Sequence, residues 1–190
     1  MLPRRHLQLL DSDSPMHSFP ELIERCASYT LFQLEKTNDS IIAELQTSGA
    51  TRLVKGLQMV RLQKAVMAVG MFSIFEAILQ DRLDCKSGFA EAKSILERTS
   101  NSTLLQRFDD YQCAINVLKH GKGRSYEYLV GRYKQLEFRI KLPNESFFDE
   151  GDVSEVTILV DVDDAFVMGC ARVVEEVASV LKRDRPSAFI

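Results

Sequence analysis

The sequence predicts a mainly α protein, an antiparallel helical bundle with a small β-hairpin before its carboxyl-terminal helix. Three observations predict it. Apolar residues recur at alternating steps of three and four through most of the chain, as in Leu104, Phe108, Tyr111, Ile115 and Leu118, which is the spacing that turns one helix face toward a core. A period of two replaces it at Phe138, Ile140 and Leu142, and again at Val156, Ile158, Val160 and Val162, and reads as two short antiparallel strands. The break after Ser48 is short, so the helices on either side of it must be antiparallel neighbours.

Composition sets the outer bounds. A chain of 190 residues, 45% of them hydrophobic, suits one domain with an ordinary core. Its division is a loose arm over 1–17, a single domain over 18–183 with the hairpin at about 138–162, and a tail over 184–190. The four cysteines, at 26, 85, 113 and 170, form no CxxC pair and stand at no ligand spacing from a histidine; neither a metal nor another cofactor is indicated, and the thiols read as reduced and mostly buried. A net charge of -3 excludes a surface built throughout for nucleic acid but leaves room for a local patch. Arg4 and Arg5 precede only Leu7, Leu9 and Leu10 before Asp11, too short a run for a signal peptide, so a cytoplasmic protein is expected. The most apolar run, Ala65 to Leu79, falls short of the roughly 18 to 20 residues that cross a bilayer. No membrane partner is expected, and the run reads as a helix covered on several sides.

The elements follow in order. Ser18, Pro20 and Glu21 stand as a capping box with proline in the first turn, opening a helix that runs to about Ser48. Its inner face carries Ala27, Leu31, Leu34, Ile41 and Leu45, interrupted at Asn38. A second helix, about Thr51 to Asp84, is the longest and is expected at the centre of the fold. Its stripe is Leu53, Leu57, Val60, Met67, Met71, Ile74 and Ile78, widened by further apolar residues including Phe72, Phe75 and Leu79. A short helix from Phe89 to Arg98 buries Phe89, Ala92, Ile95 and Leu96. The next ends at His120-Gly121, where glycine suits a helix C-cap, and Ser125 is expected to cap a helix to about Leu136. After the hairpin, Asp161 or Asp163 caps a last helix whose inner face is Phe166, Cys170, Val173, Val177 and Val180.

Function-bearing residues gather at one break. The stretch Tyr111 to Tyr128 reads YQCAINVLKHGKGRSYEY, and opposite its apolar stripe Asp109, Cys113, Asn116 and His120 share a helical face. Asn116 and His120, four apart, lie within reach of one another. Histidine is the side chain that titrates nearest neutrality and suits general acid or base work; a histidine at a helix end is also favoured there by the dipole alone. Lys119, Lys122 and Arg124 would supply affinity for phosphate. Glu76 either turns to solvent or points into a site beside His120. From Lys119 to Lys141 seven basic residues meet two acids, whereas from Asn144 to Asp164 eight acids meet no base. Either the two segments neutralise one another or the basic one is free for a phosphate.

A helical bundle in which a helix ends N-x-x-x-H resembles the HEPN superfamily, named for nucleotide binding in higher eukaryotes and prokaryotes. The resemblance covers roughly Phe19 to Leu136 in architecture and Asn116 and His120 in motif. Family members place an arginine before the polar residue, and here the corresponding positions hold Ile115, Ala114 and Cys113. The resemblance implies a homodimer. Active members are metal-independent endoribonucleases of bacterial defence and toxin systems, using histidine and arginine together. Losing one such charged contact commonly costs about 10² to 10³ in rate. The expected function is therefore a HEPN-like, non-catalytic RNA- or nucleotide-binding or regulatory module of bacterial defence or stress response. The alternatives are a protein–protein adaptor that uses the loop at Phe147 and Phe148, with a structural His120, and a metal-independent endoribonuclease using His120 with Arg124 or Lys119 as substitute cation.

Overall fold

The computed structural model describes residues 19–145 and 158–189. The predicted cap Ser18, the arm and the loop carrying Phe147 and Phe148 lie outside the described residues. Among the described residues six α-helices follow in order: α1 Phe19–Leu45, α2 Thr51–Arg82, α3 Gly88–Arg98, α4 Ser102–His120, α5 Arg124–Arg132 and α6 Asp164–Asp184, followed by a 3₁₀ turn at Pro186–Phe189.

Where a helix is amphipathic, the expected inner face is the buried one. Ala27, Leu31 and Leu34 of α1, Phe89, Ala92, Ile95 and Leu96 of α3, and Phe166, Cys170, Val173, Val177 and Val180 of α6 all lie in the core, whereas Ile41 and Leu45, expected on the same face of α1, are only half-buried. α6 shares the centre of the fold with α2. It packs against α1, α2, α3 and α4, and buries Val167, Ala171, Val174 and Leu181 as well as its predicted stripe. A helix apolar on most sides needs several neighbours to cover it, and α6 has them.

α2 departs from expectation. Its buried residues include Leu53, Val60, Met71, Phe72, Phe75 and Leu79, so the inner face runs through the aromatic residues and not through Ile74, which is 51% exposed. An apolar run with no polar side has no period to locate its inner face. Nor is the helix covered all round: Met59, Leu62 and Val66 stand at the surface. α2 is long and apolar enough to cross a membrane by length and composition, with one third of its most apolar window buried in the fold. The covered side packs on α1, α3, α4 and α6.

Two aromatic clusters fix the helices around α4. Phe108 stacks on Phe72 of α2 with ring centroids 6.1 Å apart and meets Phe89 of α3 edge-on at 5.2 Å. Tyr111 lies 5.5 Å from Phe166 of α6 and 5.0 Å from Phe138. Close approach of α3 to α2 depends on Gly88, where a β-carbon would stand 2.7 Å from the Glu76 carbonyl oxygen. At the far end of α3 Arg98 pairs with Asp184, and in its first turn Glu91 meets Arg185 at 2.6 Å.

The period-two segments meet at one antiparallel bridge, Ile140 with Val160. The Lys141 amide donates to the Leu159 carbonyl at 2.8 Å and the Asp161 amide to the Arg139 carbonyl at 2.9 Å. No extended strand forms among the described residues, and part of the second run, Val156 and Thr157, lies outside them. Asp163, not Asp161, caps α6, its carboxylate accepting from the Phe166 amide at 2.7 Å.

Candidate functional site

The break between α4 and α5 is built by glycine. The Gly121 amide closes α4 on the Val117 carbonyl at 2.8 Å, and its φ of 74° lies where only glycine sits without strain. Gly123 precedes α5, and no side chain caps that helix. Ser125 is therefore not the cap: it lies within the first turn, where its hydroxyl bonds to the Cys113 thiol. Burial raises the Cys113 pKa and the Ser125 bond opposes it, which places the start of α5 against the polar face of α4.

Lys119, His120, Lys122 and Arg124 are all exposed around this break. None of the four side chains makes a hydrogen bond or ion pair with another described residue. Asn116 is half-buried one turn before His120. Two other basic residues of the segment are ion-paired. Arg132 binds Asp110, and Arg139 binds Glu145 at 2.6 Å, so part of the expected neutralisation between basic and acidic segments occurs away from the break. The Glu145 carboxyl is held below its ordinary range by Arg139 and then by the Leu142 amide.

The remaining candidates stand elsewhere. Asp109 pairs with Lys93 of α3, eleven residues before His120, about 16 Å along the helix axis. Glu76 is half-buried on α2, with its carbonyl beside the start of α3 and its carboxylate unpaired among the described residues. No group of three or more histidine, cysteine or acidic side chains suited to a metal forms among the described residues. Of the four cysteines only Cys170 is fully buried, which pushes its thiol well up in pKa, while Cys26 lies at the surface.

A polar cluster not expected from the sequence lies nearer the start of α4. Asp110 is 6% exposed and accepts from Arg132 Nε at 3.1 Å and Nη2 at 3.3 Å, from the Tyr128 hydroxyl at 3.1 Å and from Gln106 Nε2 at 3.2 Å. A cleft of about 420 Å³ opens beside it, lined also by Tyr111, Glu137 and Phe138. A buried carboxylate is stable only with such partners, and Asp110 has four donor atoms. The signal in the sequence is the Gln106–Asp110 spacing on α4, and it is faint because adjacent Asp109 competes for the same reading. The cluster ties α5 to α4 and leaves no free group for chemistry.

The break itself offers exposed cations, an imidazole with no partner among the described residues to orient it and an uncapped helix start, which together suit anion binding better than proton transfer. No family model, no curated protein and no solved structure matches this chain.

Proposed function

We propose that this chain is a HEPN-like helical module that binds RNA or nucleotide phosphates without cleaving them, serving in bacterial defence or stress response. One observation carries the reading: Lys119, His120, Lys122 and Arg124 stand exposed around a single glycine-framed break, free of acidic partners among the described residues. Cations in that state keep their full capacity to neutralise phosphates and release counterions. Two features of the local geometry support the non-catalytic reading. No side chain among the described residues orients the His120 ring, and the last turns of α4 carry no arginine. Within the same reading, residues 138–162 close as a short hairpin about the Ile140–Val160 bridge.

The test is binding of a fluorescently labelled single-stranded RNA by the wild type and by a Lys119→Ala, Lys122→Ala, Arg124→Ala variant. We expect the variant to bind at least roughly tenfold more weakly and the slope of log K against log salt to fall by about 2. Equal affinity in both proteins would overturn the proposed interface. Metal-independent cleavage by the wild type that is lost in His120→Ala would replace the binding module with an endoribonuclease.

A further inference from the structure

The outer side of the α1–α2 pair is apolar and bare among the described residues. Ten large apolar side chains stand exposed among those residues, and eight of them belong to these two helices, a concentration and not the usual scatter. Ile41 of α1 meets Gly56 of α2, where a β-carbon would lie 2.8 Å from the Ile41 Cδ1. The antiparallel pair therefore brings Leu22 level with Ile74, and Tyr29 level with Val66 and Gly70. Both helices pack their other side on α6, which turns Leu22, Tyr29, Met59, Leu62, Val66 and Ile74 to a common outer face. Tyr29 and Val66 are 68 and 63% exposed.

We propose that this face rests on the surface of a lipid bilayer, its apolar side chains set between headgroups and acyl chains. Charge is cleared from the middle of the face. At about 100° per residue, Arg61, Lys64, Glu76 and Arg82 stand about 80° or more round α2 from Val66, and Glu24, Glu35 and Asp39 as far round α1 from Tyr29. The charges that do share the face stand at its margins and are mostly basic: Arg25, Lys36, Lys55 and Arg52, which is paired with Glu44, against Asp81. Lys36 shows the form these margins take. Its ammonium lies 4.2 Å from the centroid of the Phe32 ring, the long stem laid over apolar surface with the charge at its tip. Size separates a lipid from a protein partner. From Met59 to Ala77 the face runs about 27 Å and is two helices wide, on the order of 500 Å². A stable protein interface takes roughly 800 Å² from each side, whereas an apolar helix face flanked by Lys and Arg suffices to lie on a membrane. α2 lies on the bilayer and does not cross it, since Phe72, Phe75 and Leu79 on its other side are held in the core. The expectation of no membrane partner rested on a helix covered on several sides, and one side is not.

The contact is independent of the phosphate-binding reading, and the experiment separates the two. The full chain is sedimented with sucrose-loaded vesicles of phosphatidylcholine and phosphatidylglycerol, and the wild type is expected in the vesicle pellet. Leu62→Asp combined with Val66→Asp, both on exposed sites, should keep the circular dichroism spectrum and lower the partition coefficient at least about tenfold. Lys36→Glu combined with Lys55→Glu should also weaken binding by about tenfold and flatten its dependence on salt. Insertion is read with tryptophan, which the chain lacks. The emission of Tyr29→Trp should move to shorter wavelength on the vesicles, and that of Tyr133→Trp, exposed after α5, should not. A wild type that stays in the supernatant, or a double-aspartate variant that still pellets, would overturn the proposal. Pelleting lost in the Lys119→Ala, Lys122→Ala, Arg124→Ala variant and kept in the double-aspartate one would overturn it by moving the lipid contact to the break. A wild type that self-associates without lipid and comes apart in the double-aspartate variant would give the face to a second copy instead.

Discussion

Gly169 shows how a single residue sets a distance between helices. A β-carbon there would lie 2.0 Å from the Tyr111 hydroxyl oxygen and 2.7 Å from the ring carbon that bears it, and Tyr111, 2% exposed, has nowhere to go. Gly169→Ala should destabilise the protein by about 2–3 kcal/mol, read from the urea midpoint. Combined with Tyr111→Phe it should cost less than the two single changes summed; strict additivity would show that the two residues do not meet. Asp161 makes a pH-dependent case. Burial, and then its neighbour Asp163, hold its carboxyl above the ordinary range, so the folded state takes up that proton more readily than the unfolded chain. The resulting stabilisation is complete below the unfolded pKa and disappears as pH rises through the folded one. Asp161→Asn should therefore raise the urea midpoint at pH 7, and the gain should shrink on acidification. A gain independent of pH would assign it to something other than charge. Gly169 did not stand out in the sequence and Asp161 did so only as a candidate cap, because a glycine's tightness and a carboxylate's burial depend on what other elements bring to them.

Among the elements, legibility followed amphipathicity. α3 and α6 separate apolar from polar positions clearly enough for their buried sides to be read from spacing, and both were. α2 is apolar over most of its circumference in its second half, so spacing pointed to Ile74 where the fold buries Phe72 and Phe75. The α4–α5 pair was legible at its break, through Gly121 and the basic residues, but not in what fastens it. That fastening is Asp110, whose bonds to Arg132 and Tyr128 span 22 and 18 residues of sequence, beyond the reach of any periodicity. Asp110→Ala should cost about 2–3 kcal/mol, the range for hydrogen bonds to a charged group. It should also raise amide exchange in α5 more than in α3. Uniform loss of protection across the molecule would mean that Asp110 supports the core as a whole rather than that one helix.

At the scale of the whole molecule, the sequence carried the helical class and half of the centre. Length drew attention to α2, which does pack on four helices, but α6, shorter by eleven residues and the last of the six described α-helices, packs on four as well and is the more completely buried. The candidate site divided in the same way. Its cations were legible because they crowd a break, whereas Asp109 lay on the same helical face and still found its partner on α3. The late position of α6 bears on synthesis. A ribosome adds residues at roughly 5 to 20 per second, and the inner faces of α1, α2, α3 and α4 emerge well before the helix that joins them. Until then the nascent chain holds Leu31, Phe72, Phe89 and Phe108 without their final cover. Emergence of α6 is the moment at which these apolar surfaces gain their cover, and truncation ahead of residue 164 should yield an aggregating fragment rather than a smaller domain.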